Sequence, residues 1–439
     1  MKRRLLPILM TLVLVCALPI WAAFVTSGDV TNPLVSTAGA TSSEESAVEK
    51  LKLAISRGGT VQLTEDIEIT ETLYVERSMT IDLNGHVLKM TGDGSVLKVS
   101  GRATLTIQDS SAAKSGTITG GNAKDGGGVY IEAYATLEMT GGCITGCRAE
   151  DGGGVYIDNN ATLKMTGGCI TDCHASYGGG IYSYENLYMG GTAKIEKCTS
   201  NGGSYDAIWN RERCNIYADG GTVDGTVSNL GTIMHSEGAA AETVFNGTVY
   251  NRSAGKIEAG IYKGTVENTG TITGGTFYDA VTNRKASLSF MTEAGTISGG
   301  TFYGSIVNEG GPEQVADSAK VAVTFNTDGG TSVAEEKVLR GQKMSKPAAP
   351  TKSGYTFTGW EDANGAYDFN TPVIAPLTLT ARWEEVPSSG GNYYYHPTTD
   401  TKADDAKGSP KTADPGVALY AALSLLSLTG LTYTGRKKF

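Results

Sequence analysis

The chain has 439 residues and a formal net charge of −10, with 59 glycines but only 12 prolines. That length allows about two or three domains. The acidic charge argues against binding to nucleic acids or anionic membranes, which requires a basic surface. The shortage of proline argues against collagen and disordered linkers, so this much glycine is typical of short strands joined by tight turns.

The amino terminus has the parts of a secretory signal peptide. A basic run over residues 2–4 precedes an apolar run over residues 5–21, and the small residues Ala22-Ala23 follow. We therefore predict a signal peptide over residues 1–23, cleaved near its end, and a linker over residues 24–43. The alternative is an uncleaved membrane anchor, which the short apolar run disfavours.

A helix and the first strands are expected next. Residues 44–57 begin with serine and glutamate and carry Val48, Leu51 and Ile55 at helical spacing, which predicts a helix that covers the open end of a β domain. Residues 61–90 alternate between apolar and polar side chains and predict the first strands of that domain.

The middle of the chain is a repeat. Residues 115–140 and 141–166 align without gaps and are identical at 17 of 26 positions, and a third copy begins at Gly167. Each copy holds short strands with apolar residues at every second position. One copy cannot bury its apolar face alone, so the copies must stack. Repeats of this length with strands and no helix predict an all-β fold, a parallel β-helix of about eleven coils over residues 44–311.

This region resembles the pectin-lyase-like right-handed β-helix superfamily, a resemblance of fold over about 60% of the chain. Stacking then assigns positions to the recurring residues. We predict a cross-coil ion pair between Glu138 and Lys164, and a row of asparagines with positive φ whose amides bond to the next coil. The predicted inward ladders are Ile118, Ile144, Ile170 and Ile195, and Leu137, Leu163 and Leu187; the asparagines are Asn229, Asn251, Asn268, Asn283 and Asn308.

Six cysteines remain after removal of the signal peptide, and three interpretations are open. They form a ladder of small core residues, disulfides across coils that lie ~4.8 Å apart, or a thiolate metal site. The core ladder is favoured because Thr117 and Gly121 hold the matching positions of the first copy, and we predict no metal. The six are Cys143, Cys147, Cys169, Cys173, Cys198 and Cys214.

Catalytic residues are not expected. Pectin-lyase-like enzymes carry Asp clusters or an Arg on an outer sheet. Here Asp125 and Asp151 stack before a triple glycine, but Tyr177 takes the third position, and no Arg or His is expected at matching register. Glu132 and Asp158 occupy another turn, where carboxylates commonly just form turns. We predict a protein that is not an enzyme and needs no cofactor.

Three tyrosines are the candidate ligand contacts. Tyr130, Tyr156 and Tyr182 recur at one outward position, so their rings should stack on one outer face. Such a row can hold sugar rings or an apolar patch of a partner. The structural alternative is that cross-strand aromatic pairs only stabilise the sheet.

A second module follows Gly310-Gly311-Pro312. Residues 321–383 contain Gly354-Tyr355-Thr356-Phe357-Thr358-Gly359-Trp360 and end in Leu-Thr-Leu-Thr-Ala-Arg-Trp383. They resemble the Listeria–Bacteroides repeat, also called the internalin B-type repeat. The resemblance implies a small β-grasp-like domain over residues 318–385, which serves in bacterial surface proteins as a stalk or interaction module without catalytic residues. Trp360 and Trp383 are predicted core residues.

The carboxyl terminus resembles a cell-wall sorting signal of Gram-positive bacteria. A flexible linker over residues 386–408 leads to Ser409-Pro410-Lys411-Thr412-Ala413, an apolar segment over residues 416–434 and a basic end. The resemblance implies that sortase cleaves the Thr412–Ala413 bond and joins Thr412 to peptidoglycan. The usual motif is Leu-Pro-x-Thr-Gly, so Ser409 and Ala413 depart from it. The alternative for residues 409–439 is a plain membrane anchor.

The two ends together predict a protein of the Gram-positive cell wall that works outside the cell. Removal of both ends takes the formal charge to −15. We expect the β-helix to serve adhesion to a glycan or host surface ligand, without nucleic acid as a partner. The alternative is a secreted carbohydrate-active enzyme, a polysaccharide lyase or hydrolase.

Overall fold

The computed structural model describes residues 45–201, 207–285 and 294–387, together with the backbone of residues 32–33. The predicted signal peptide, the linker over residues 388–408 and the sorting signal lie outside these residues. Within the part that is described, no helix is long and apolar enough to cross a membrane.

The fold is all-β, as predicted. From residue 59 to residue 308, the described residues form a right-handed parallel β-helix of eleven coils. Each coil contributes to three parallel sheets, which we call the first, second and third faces in chain order. Strands Asn186–Glu196 and Asn215–Asp224 each run through both the first and the second face. The backbone of Asn32–Pro33, in the predicted linker, pairs with Val61 and Gln62.

The remaining strands are shorter. On the first face they are Gly59–Gln62, Met79–Asp82, Thr104–Gln108, Thr136–Met139, Thr162–Met165, Thr232–Met234, Lys256–Ile257, Thr271–Ile272 and Thr296–Ile297. On the second face they are Ile67–Ile69, Val87–Met90, Thr117–Thr119, Cys143–Thr145, Cys169–Thr171, Val244–Phe245, Ile261–Tyr262, Thr276–Phe277 and Thr301–Phe302. On the third face they are Leu73–Val75, Leu97–Val99, Val129–Ile131, Val155–Ile157, Ile181–Ser183, Ile208–Asn210, Val227–Asn229, Val249–Asn251, Val266–Asn268, Val281–Asn283 and Ile306–Asn308. A two-residue pair, His174–Ala175 and Thr199–Ser200, lies between the second and third faces.

The inward ladders are confirmed. Ile144 is fully buried and lies in register with Ile118 and Ile170. The predicted leucines are also fully buried and in register. Alternation along each short strand therefore separates core from surface. On the outside, Lys164 Nζ lies 3.3 Å from Glu138 Oε1, which confirms the predicted ion pair.

The later coils fill their interior with aromatic rings. On the second face, Phe245, Tyr262 and Phe277 stack with ring centroids 5.0 and 4.8 Å apart, and Phe302 continues the stack. The Tyr262 hydroxyl donates to the carbonyl of Ala259 at 2.7 Å, so its polar end is satisfied inside the core. The isoleucine ladder of the middle coils thus changes to an aromatic one along the same face.

The asparagines form the predicted ladder, but their backbone conformation differs from the predicted one. Each side-chain amide donates to the Oδ1 of the next asparagine at 2.7–2.8 Å, which confirms the cross-coil bonds. The positive φ was wrong: these residues are the last residues of strands, and none is among the described residues with positive φ. Asn210, which was not predicted, begins the ladder.

Both ends of the β-helix are covered. Helix Ala47–Arg57 begins at Ser46, whose hydroxyl accepts from Glu49 N, and it buries Leu51 and Ile55 over the first coil. At the other end, the turns Pro312–Gln314 and Asp317–Ala319 place Val315 against Ile297. Ile306 N donates to the carbonyl of Arg340 at 2.8 Å. The strands of the first and last coils, whose edges could otherwise pair with another chain, are therefore covered.

The module after the β-helix is a small sheet domain. Its strands, in the order they pair, are Glu336–Leu339, Lys320–Asn326, Leu377–Glu385, Tyr355–Asp362 and Gly365–Ala366. Trp360 is buried with Val323 and Leu379, as its assignment to the core requires. Trp383 is only half-buried, and its indole Nε1 donates to the carbonyl of Thr327 at 3.1 Å.

Candidate functional site

The predicted tyrosine row exists on the third face. Tyr130, Tyr156 and Tyr182 lie in register on consecutive strands, and Trp209 occupies the next position. The ring centroids are 5.1, 5.6 and 6.3 Å apart along this row, with planes within 8° of parallel. The register of the parallel strands thus produces a continuous aromatic stack.

The stack leaves little ring surface for a ligand. Tyr156 and Tyr182 are only 9% and 8% exposed. Their faces contact each other and the neighbouring rings, and Tyr184 tilts against both. At the other end, Lys98 Nζ lies 4.7 Å from the centroid of Tyr130. The binding role of the three tyrosines stays a prediction, and it is confined to their edges.

Two grooves border the row. The larger, about 770 Å³, lies at the start of the row and is lined by Tyr74, Lys98 and Tyr130 on one side and by Asp93, Asn122, Lys124 and Asp125 on the other. The smaller, about 420 Å³, reaches the edge of Tyr182 beside Trp209 and Arg211. Tyr74 was missed by the sequence analysis, although Leu73 and Val75 alternate with it and mark it as outward.

Asp125, which lines the larger groove, belongs to a stacked pair of carboxylates. Asp125 and Asp151 pair in register before the third face, and Tyr177 follows them, as predicted. The glycines that come next permit this close turn, since a Cβ on Gly153 would lie 2.5 Å from the carbonyl oxygens of Gly179 and His174. Burial, with Asp125 and Glu150 nearby, raises the pKa of Asp151 to about 6; burial also raises the pKa of Asp125.

An arginine and a histidine share one register position, which is separate from that of the carboxylate pair. Arg148 pairs with His174, three residues before the Asp151 and Tyr177 positions. Their spacing of 26 residues in the repeat could have shown this. The His174 ring nitrogens lie 2.8 Å from Thr199 Oγ1 and 2.7 Å from Asn201 Oδ1. Both imidazole nitrogens therefore bond to groups other than the carboxylates of Asp125 and Asp151.

Acidification is expected to stabilise the fold through Asp151. Because the folded pKa lies above the value of a free carboxyl, the folded state binds more protons than the unfolded state between about pH 4 and pH 6, and stability falls as pH rises through that window. Asp151→Asn should therefore raise the melting midpoint at pH 7.5, and the gain should vanish below about pH 4. Thermal melting across this range measures it.

Asp82→Asn is the control of opposite sign. Burial alone would raise the pKa of Asp82, but hydrogen bonds from Ser110, Gln108 and Gln62 outweigh burial and lower it. Ionised Asp82 therefore contributes stability at neutral pH, and its loss should lower the midpoint there. A gain from Asp151→Asn that does not change with pH would contradict the role assigned to its charge.

The cysteines of the described residues divide into one disulfide pair and four buried free thiols. Cys143 and Cys169 face outward on paired strands and form a disulfide with a Cα–Cα distance of 4.5 Å. Cys147, Cys173 and Cys198 are buried thiols, so the predicted core ladder is confirmed for these three, whereas it was wrong for Cys143 and Cys169. Burial raises the pKa of the Cys214 thiol to about 12. Across residues 45–201, 207–285 and 294–387, no group of three or more His, Cys, Asp or Glu side chains is placed to hold a metal ion.

Comparison with known proteins places the second module. Residues 322–382 match the Listeria-Bacteroides repeat domain. The chain is 34% identical over 91 residues to Internalin H of Listeria monocytogenes, which is 20% of this chain and 16% of that protein. It is 32% identical over 118 residues to a protein of Evansella cellulosilytica named as a membrane protein, which is 26% of this chain and 17% of that relative.

A second protein of Evansella cellulosilytica, named as a Gly-rich membrane protein, is 36% identical over 66 residues, 14% of this chain. The matched part covers less than a fifth of each of these relatives. The family match identifies the repeat domain over residues 322–382, whereas the β-helix is established by the pairing of its parallel strands.

Proposed function

We propose that the protein is a bacterial surface protein, attached to the cell wall through Thr412, whose β-helix captures a ligand for adhesion. This proposal rests on the observation that the β-helix is followed directly by an internalin B-type repeat. Gly341 of the repeat (φ +81°) packs against Ser305 of the last coil, where an added Cβ would lie 2.5 Å from the Ser305 Cβ. Arg340 Nε donates to the carbonyl of Tyr303 at 2.9 Å.

These contacts support a role in display. Leu339 also packs against the core of the β-helix, so the repeat holds the last coil through backbone, polar and apolar contacts. A rigid rod of eleven coils spans ~50 Å at ~4.8 Å per coil. Such a rod on a stalk carries a binding surface away from the wall. The names of the relatives, a membrane protein and an internalin, agree with a surface location.

A strain that displays the full chain should attach to mucin or epithelial cells several-fold better than the same strain with Thr412→Ala. The substitution removes the residue that sortase joins to peptidoglycan and leaves residues 45–387 unchanged. Muramidase should release wild-type protein that ends at Thr412, as read by mass spectrometry. Attachment of the wild-type strain that is no better than that of a strain without the protein rejects adhesion, and wall-released protein that still ends at Phe439 rejects the anchor.

The second candidate function is a carbohydrate-active enzyme. It is favoured by the Asp125–Asp151 pair, because two stacked carboxyls with raised pKa values, one of which (Asp125) lines the larger groove, are suited to proton transfer. A reducing-end assay against polysaccharides separates the two functions. If the wild-type chain cleaves a polysaccharide and Asp151→Asn does not, the enzyme function is supported and the adhesion function is rejected.

A further inference from the structure

Tyr74 has a ring surface that the other exposed tyrosines lack. Among the described residues, six tyrosines are strongly exposed. Five have their rings against another group: Tyr134 against Arg102, Tyr355 against Lys352, Tyr177 against Trp209, and Tyr278 and Tyr303 against each other. Tyr74, the most exposed at 58%, has no aromatic or cationic partner among the described residues.

The ring of Tyr74 lies between two grooves and lines both of them. On one side lies the 770 Å³ groove with Lys98 and Tyr130. On the other side lies a groove of about 560 Å³ against helix Ala47–Arg57, lined by Lys52, Glu71 and Arg77 among others. Because Leu73 and Val75 are buried on either side of it, the strand fixes where the ring projects. A flat ligand can therefore cover the ring with little loss of side-chain entropy.

The charged groups that line the larger groove indicate which kind of ligand it can bind. Two carboxylates, Asp93 and Asp125, and two ammonium groups, Lys98 and Lys124, line it, so its formal charge is zero. Lys98 is paired with Glu132 at 2.8 Å, and Asn122 Nδ2 donates to Asp93 Oδ1 at 3.1 Å. Carboxylates beside amide and ammonium donors can accept from and donate to hydroxyl groups. Because Lys98 is already paired with Glu132, the groove has no net positive charge to attract an anionic ligand.

We propose that this groove binds an uncharged saccharide, with one pyranose ring stacked on Tyr74 and its hydroxyls hydrogen-bonded to Asp93, Asp125 and Lys98. The inference rests on the proposed function, for which it supplies the ligand class. It moves the contact surface from the covered rings of Tyr156 and Tyr182 to the open start of the row. Asp125 then serves as a hydrogen-bond acceptor for the sugar.

Bacteria that display the full chain test this with fluorescent tetrasaccharides of glucose, galactose, mannose and N-acetylglucosamine, and with tetragalacturonate as the acidic probe. At least one neutral probe should bind. Tyr74→Ala should weaken that binding by about tenfold or more, the loss expected when a stacking ring is removed. Tyr74→Phe should retain it. Tyr134→Ala is the matched control, since Tyr134 is similarly exposed at 55% but its ring faces Arg102.

Three results would overturn the inference: no neutral probe binds, tetragalacturonate binds more tightly than every neutral probe, or Tyr134→Ala weakens binding as much as Tyr74→Ala. Surface staining of each variant confirms equal display, so loss of folded protein is not mistaken for loss of affinity. The outcome is separate from that of the adhesion test. Attachment that depends on Thr412 without saccharide binding leaves adhesion standing and rejects this ligand class.

Discussion

Ile144→Asp should lower the free energy of unfolding by more than ~4 kcal/mol, enough to leave the β-helix largely unfolded. Ile144 is fully buried, and it lies between Ile118 and Ile170 in the core ladder. The new carboxyl must either stay protonated or bury an unpaired charge. Thermal melting followed by circular dichroism measures the loss.

The neighbouring residue supplies the matched control. Thr145 lies on the same strand but points outward, so Thr145→Asp should change the melting midpoint only slightly. Tyr156→Ala should fall between the two, because Tyr156 is 9% exposed and stacks on Tyr130 and Tyr182. Equal losses for Ile144→Asp and Thr145→Asp would mean that the assignment of inward and outward side chains is wrong.

Asn251→Ala should destabilise the β-helix by about 2–4 kcal/mol, because it leaves buried polar groups without partners on both sides. Asn251 accepts from Asn229 Nδ2 at 2.8 Å and donates to Asn268 Oδ1 at 2.7 Å, and all three residues are fully buried. Urea unfolding of the wild-type and variant chains measures the difference at constant pH.

Asn246→Ala is the control for that substitution. Asn246 lies in the same coil but is exposed, where its amide donates to Asp224 and water can replace the lost group. Its loss should cost less than ~1 kcal/mol. If the two alanine variants unfold at the same urea concentration, the ladder contributes no more than a surface hydrogen bond.

On the outer faces, the alternation of the sequence predicts the direction of a side chain but not its exposure to solvent. Alternation predicted correctly that Tyr130, Tyr156 and Tyr182 point outward and stack. It did not predict their low exposure, because Tyr184 and the rings of adjacent coils cover them. The same alternation marks Cys143 as outward beside inward Ile144, and that was overlooked. Applied fully, it favours a surface disulfide for Cys143 and Cys169; the core position of Cys147 depends instead on the turn at Gly146 (φ +63°), which interrupts the alternation.

The sequence by itself determined the fold class, the inward isoleucine and leucine ladders, the cross-coil asparagine bonds and the repeat domain over residues 322–382. The ladders depend on a local period of two residues and on the recurrence of similar coils, and the repeat domain depends on its motif; all of these can be read along the chain. The exposure of Tyr74, the covering of Tyr156 and the raised pKa of Asp151 were decided only by the tertiary structure. They depend on how side chains and turns from different coils pack together in space, and that packing sets solvent access and the distances between charges.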